Sequence, residues 1–356
     1  MTAPGKRALL AAAGVLVFAL VLGGLVEAPG LVKARPQARH TELVPAPHEV
    51  SARVPPLRAA RSALVEFDLA PFPYYGINPR TSRPFMDVTD EEGRRGHRTA
   101  RGVLWEDDTF SDRRALLYIP KGFDARKPGL IVVFLHGHRA TLERDVRGRQ
   151  RVADQIAEAN VNAVLVAPQF AVNASDSSAG RFWESYGFAR FLGEAGAHLA
   201  RLHGDLRTRK TFATLPVVVV AYSGGYVPAA WALHNGGTDK RVIGVLLLDA
   251  LYGEVAKYAD WIGRHPSSFF VSAYTSSSAR GNEALQSLLA ARDVEFETSL
   301  PPRLGGAVAF LRTSGVSHES FVTRAWVDHP IRDVLERIGQ FPRYSGRHAD
   351  MGRDGR

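Results

Sequence analysis

The chain has 356 residues, 45% of them hydrophobic and 23% charged, which is long enough for one large α/β domain with appendages and too apolar for a disordered polymer. Its formal charge is +9, but the cations are scattered, come mostly from arginine and form no basic helix interleaved with aromatics, so no nucleic-acid partner is expected. The lack of any cysteine excludes disulfides, zinc-thiolate sites, a cysteine nucleophile and a lipid-modified cysteine.

Lys6 and Arg7 precede an uncharged, mainly apolar run from Ala8 to Val26, 19 residues long. A secretory apolar core is usually about 7 to 15 residues, whereas a spanning helix needs about 17 to 25. Residues 1–28 therefore read as a signal anchor holding the chain in a membrane through residues 8–26, with the remainder on the extracytoplasmic side. The alternative is a cleaved signal peptide and a secreted product, although Ala28 followed at once by Pro29 marks cleavage poorly. Residues 29–70, with Pro29, Pro36, Pro45, Pro47, Pro55 and Pro56 and no sustained period, read as an irregular Pro/Ala/Arg-rich linker. An arm over 71–101 follows, in which Phe72, Tyr74, Tyr75 and Phe85 are expected to pack on the main domain.

From residue 102 apolar runs alternate with amphipathic ones, the pattern of a mostly parallel sheet wrapped by helices. Strands are expected at 102–106, 114–119, 130–135, 163–167, 216–221, 242–248, 268–274 and 307–313, eight in all. Helices are expected at 149–160, 183–202, 225–235, 282–291 and 331–339. The domain over 71–342 closes with a Gly- and Arg-rich tail, 343–356.

The run from Val217 to Pro228 carries the chemistry. Four stiff, β-branched valines suit a buried parallel strand, and Pro228 suits the first turn of a helix. Between them stands Ser223. A strand reversing directly into a helix brings backbones close together, so the positions two before and two after the serine must be small. Ala221 and Gly225 meet that demand, and Gly224 relieves it further. The form is that of a nucleophile elbow, G-x-S-x-G, with Ala at the first small position.

A serine hydroxyl is a weak nucleophile unless a base, an orienting acid and an oxyanion site can reach it. The turn His136-Gly137-His138 after the third strand would aim the backbone N–H of His138 at a developing oxyanion, together with that of Gly224. A metal pair at His136 and His138 is the competing reading, but no H-E-x-x-H spacing or third ligand accompanies them, so no metal or other cofactor is expected. The base is His318, on the loop after the last strand. Two acids compete. Asp249 ends the apolar strand 242–248, where a carboxylate needs a partner. Glu283, beyond the seventh strand, is explained equally by the start of a helix.

On these residues the chain resembles the α/β-hydrolase fold superfamily over about 102–340, in the chain order Ser223, Asp249, His318. The departures are Ala221 in the elbow, the missing His-Gly-Gly-Gly form of the oxyanion loop and an acid placed one strand early. The resemblance implies a serine hydrolase that cleaves a small-molecule or polymer-end ester, or a thioester or amide, through an acyl-enzyme. Peptidase or amidase activity and a catalytically inert, anchored binding scaffold are the alternatives. Gln169 to Trp183 and Leu251 to Pro266, with Tyr252, Tyr258 and Trp261, are expected either to shape the substrate pocket or to pack on the body.

Overall fold

A computed structural model describes residues 54–341. The expected anchor (1–28), the first part of the linker and the tail lie outside the described residues, and among the described residues no helix is long and apolar enough to cross a membrane.

Eight strands form one sheet: β1 (Arg61–Glu66), β2 (Arg114–Ile119), β3 (Leu130–Leu135), β4 (Ala163–Pro168), β5 (Val217–Tyr222), β6 (Val242–Leu248), β7 (Phe269–Tyr274) and β8 (Val308–Arg312). Their order across the sheet is β1-β2-β4-β3-β5-β6-β7-β8. β2 runs antiparallel to both its neighbours, and from β4 to β8 every pairing is parallel. All residues of β3 through β7 are buried, as expected for parallel strands covered on both faces.

Alternation divides that burial between two cores. Ile131, Val133 and Leu135 of β3 face one core with Val217, Val219 and Ala221 of β5. Leu130, Val132, Phe134, Val218, Val220 and Tyr222 face the other. Each large apolar side chain so buried contributes about 1.5–3 kcal/mol. The first core is closed by α2 (Gly187–His203), α4 (Tyr226–Asn235), α5 (Val255–Arg264) and α6 (Ala279–Ala290), the second by α1 (Val152–Glu158) and α7 (Pro330–Ile338); α3 (Arg209–Thr214) packs beside α2. α2 shows the logic of these helices. Phe188, Phe191, Leu192, Ala195 and Leu199 make one buried stripe at helical spacing, and Gly204, at φ +78°, ends the helix in a left-handed turn.

Two expectations are corrected. The segment 102–106 is a strand (Gly102–Trp105), but it pairs with Arg95–Thr99 in a separate three-stranded sheet. The first strand of the main sheet is instead Arg61–Glu66, inside the segment read as linker. Its two ends are exposed and charged and only its middle is half-buried, the composition of an edge strand that resists further pairing. The arm does pack on the domain through Phe72, Tyr74 and Phe85, which meet Phe110 and Trp183. Tyr75 differs: it is exposed, with Arg95 stacked on its ring.

Candidate active site

β5 ends at Tyr222 and α4 begins at Tyr226, so a one-turn helix of three residues reverses the chain. Ser223 adopts φ +51° there, a left-handed conformation costing a non-glycine residue of order 1–3 kcal/mol. The neighbouring glycines are required by contact. A Cβ on Gly225 would stand 2.3 Å from the Leu135 carbonyl oxygen, one on Gly224 would stand 2.4 Å from the His138 ring, and one on Gly137 would stand 2.7 Å from Ser223 Cβ. The small residues read from the sequence are therefore the points where β3, its turn and α4 close around the serine.

Two loops bring their side chains to Ser223. His318, six residues beyond the end of β8, places Nε2 2.8 Å from Ser223 Oγ and Nδ1 2.6 Å from Asp249 Oδ2. A carboxylate only accepts, so Nδ1 carries the hydrogen and the Nε2 lone pair faces the serine hydroxyl. Tyr222 seats this histidine: its hydroxyl donates to the His318 carbonyl at 2.9 Å and its ring stacks on the imidazole at 5.0 Å.

Asp249 follows β6 directly, at φ +44°, and is fully buried. Burial by itself would raise its pKa. Hydrogen bonds from His318, Ser278, the Thr275 N–H and Ser277 outweigh that and hold the carboxyl well below the usual carboxylate range. The N–H of Thr275 donates at 3.0 Å, its hydroxyl at 3.1 Å and the hydroxyl of Ser277 at 2.8 Å, and Ser278 completes the set. The competing acid, Glu283, is an exposed residue of α6, while His318 Nδ1 bonds to Asp249.

The turn after β3 is organised by His136, which is buried. Its Nε2 accepts from the Phe170 N–H at 2.9 Å, so the hydrogen lies on Nδ1, which donates to the Gly137 carbonyl at 2.8 Å. The Gly137–His138 peptide is planar, so holding its C=O toward His136 turns the His138 N–H the opposite way. Among the described residues that N–H has no hydrogen-bond partner. The N–H of Gly224 opens the turn at Ser223, where a helix's first N–H groups have no partner within the helix. The His138 ring leans on Gly224 and binds Ser177 Oγ at 2.7 Å. The two imidazoles thus have separate protein partners.

Burial pushes the His136 imidazole down to about 4, against about 6.5 in the unfolded chain. Between these values the unfolded state binds a proton that the native state refuses. Stability is therefore complete above about pH 6.5 and falls as pH drops toward 4, by up to about 3 kcal/mol from this group. Urea midpoints measured from pH 7.5 to 4.5 should decline in the native protein and decline less in His136→Gln. Equal slopes in both would mean that His136 is not held neutral.

Of the two segments expected to shape the pocket or pack on the body, 169–183 does both, whereas 251–266 packs and adds no residue to the wall of the hollow. Phe170, Phe182, Tyr258 and Trp261 are buried and pack, whereas Asn173 and Ser175 line the hollow at Ser223. Tyr252 is exposed, with its ring 6.4 Å from His318 and its hydroxyl on Ser277. Sequence reasoning missed Tyr222 as the seat of His318 and the hydroxyls of Thr275, Ser277 and Ser278 as donors to Asp249. The run Thr275-Ser276-Ser277-Ser278 was the available signal, since hydroxyls clustered at a strand's carboxyl end suit a nearby carboxylate.

No protein-family model and no curated protein matches the chain. Solved structures similar to it include the S954A mutant of the feruloyl esterase module from Clostridium thermocellum, at 16% identity and TM-score 0.46, covering 83% of this chain and 93% of that one. An S-formylglutathione hydrolase from Agrobacterium tumefaciens aligns at 13% identity and TM-score 0.42, over 64% of this chain and 90% of that one. An esterase from the planctomycete Thermogutta terrifontis aligns at 10% identity and TM-score 0.38, over 63% and 86%. At such distances the decisive evidence is the sheet itself. Eight strands with the second antiparallel to its neighbours, and a serine raised on a sharp turn beyond the fifth with aspartate and histidine following in chain order, make the arrangement of the α/β-hydrolase fold.

Proposed function

We propose that the protein is a serine hydrolase that cleaves a carboxylic ester through an acyl-enzyme, with Ser223 as nucleophile, His318 as base and Asp249 as the orienting acid. The observation carrying this reading is the unbroken relay from Ser223 Oγ to His318 Nε2 at 2.8 Å and from His318 Nδ1 to Asp249 Oδ2 at 2.6 Å. Ser223 Oγ bonds to the ester carbonyl carbon while its proton passes to Nε2. The oxyanion is met by the N–H groups of Gly224 and His138. Collapse of the tetrahedral adduct breaks the bond to the alcohol oxygen, which takes the proton from Nε2 and leaves. Water then repeats the sequence on the acyl-serine, releasing the acid and restoring Ser223. Asp249 stays ionised throughout, because its donors hold its proton affinity low, and it stabilises the imidazolium that forms.

A fluorophosphonate bearing a reporter tests this directly. The expected result is one adduct per chain, located on Ser223 by peptide mass spectrometry, together with hydrolysis of 4-nitrophenyl acetate. An unlabelled protein without esterase activity would favour an inert binding scaffold on the same fold.

A further inference from the structure

Three arginines and two carboxylates, Asp145 and Glu319, stand in the wall of the hollow at Ser223. It encloses about 610 Å³, and Arg139, Arg144 and Arg149 line it. A second hollow of about 510 Å³ adjoins it through Arg139, Asn173 and Ser175 and adds Arg101 to its wall. These four arginines are not equally occupied. Arg144 and Arg149 both bind the buried Asp145 carboxylate, at 2.8 and 2.9 Å, and Arg144 also reaches Asn173. Arg139 touches only a neutral hydroxyl, Ser175 Oγ, at 3.0 Å. Among the described residues neither Arg139 nor Arg101 has a carboxylate partner.

The acids nearby do not fill that role. Asp108, in the outer hollow, is bound by Arg94 at 2.7 Å, and Glu319, next to His318, shares the inner hollow with Arg139 without a hydrogen bond or ion pair to it among the described residues. Both guanidiniums act on the site electrostatically. Burial lowers the proton affinity of the His138 imidazole, Asp176 opposes this, and Arg139 and Arg101 lower it further. A guanidinium is a planar fork of donors matched to an oxyanion, and its attraction is stronger against a concave, partly dehydrated wall than in open water. A neutral ester lying across the two hollows would leave both forks facing an uncharged ligand.

We propose that the substrate is an ester that also carries an oxyanion, such as a carboxylate, held by Arg139 and Arg101 while the scissile carbonyl lies at Ser223. The proposal rests on the hydrolase reading above and adds the substrate's charge to it.

Matched ester pairs test it. The mono-4-nitrophenyl ester of adipic acid against 4-nitrophenyl hexanoate puts the charge on the acyl side. Next, 4-acetoxybenzoate against its methyl ester puts it on the leaving-group side. In one pair the anionic member should have a kcat/KM at least about tenfold higher, an advantage that shrinks in high salt. In the Arg101→Gln, Arg139→Gln double variant this ratio should fall to near one. A structural effect of the substitutions would lower both members together and leave the ratio standing. Ratios at or below one in the native protein for both pairs, or a ratio that survives in the double variant, would overturn the proposal. Calorimetric binding of the same esters to Ser223→Ala keeps the two ideas separate. Preferential binding of the anionic member supports the charge assignment even if fluorophosphonate fails to label the native protein and the hydrolase reading falls; equal binding removes the assignment even if labelling succeeds.

Discussion

Replacing Ser223 by Ala is expected to lower kcat for an activated ester such as 4-nitrophenyl acetate by about 10⁶-fold, the scale seen when the nucleophile of a serine hydrolase is removed. The hydroxyl is the only group on the turn placed against His318 Nε2, so its loss leaves the imidazole no proton to accept and the carbonyl no atom to bond. The fold should survive. The substitution removes one oxygen from a half-buried position and keeps a Cβ where Gly137 already makes room for it. Steady-state rates and urea midpoints measured on the same preparation separate the two effects. A variant that keeps a tenth of the native rate would remove Ser223 from the reaction.

Replacing Asp249 by Asn is expected to cost about 10⁴-fold in kcat, because an amide in this place can present an N–H to Nδ1 and so stabilise the tautomer that cannot accept the serine proton. It should also destabilise the fold by about 1–3 kcal/mol. The buried carboxylate accepts from Thr275, Ser277, Ser278 and His318, and an amide nitrogen leaves one of those donors facing another donor. Glu283→Gln, on the exposed face of α6, should change kcat less than twofold. The comparison is decisive in both directions: a large loss in Glu283→Gln with a small one in Asp249→Asn would exchange the roles of the two acids. Losing any of this machinery should leave the oxyanion turn intact, since His136 holds it through Phe170, Gln169 and Gly137, none of which belongs to the relay.

Much of this arrangement was legible in the chain, for identifiable reasons. Leu130 to Leu135 and Pro216 to Ala221 read as strands, the second one residue off the observed Val217–Tyr222, because strands buried on both faces need no polar alternation. The requirement for small residues around Ser223 is local steric reasoning, and the contacts at Gly224 and Gly225 are the atoms that impose it. Asp249 was legible because a carboxylate ending so apolar a strand is costly without a partner. The missed features depend on pairing or on distant contacts. Arg61–Glu66 has only the three-residue apolar run Ala63-Leu64-Val65 to announce it, since an edge strand covered on one side can carry Arg and Glu at its ends. Gly102–Trp105 has strand composition, but composition does not choose a partner, and the nearby Arg95–Thr99 was available first. Tyr222 reaches His318 across 96 positions of sequence, a separation at which no local pattern carries information.

The three groups of the relay are unequally tethered to the sheet. Ser223 and Asp249 leave adjacent strands, β5 and β6, whose pairing runs up to Tyr222 and Leu248. His318 belongs to the loop after β8, three strands from the serine, and must reach back over β7 and β6 across roughly 14 Å of sheet. What it crosses is the row of hydroxyls at Thr275, Ser277 and Ser278 that fixes the aspartate. Nucleophile and acid thus share one rigid mount while the base rides on a long cantilever pinned by Tyr222 and Asp249. Loosening the seam between β7 and β8 would swing the base away and leave the rest of the pocket standing, so this site can be disarmed without being dismantled.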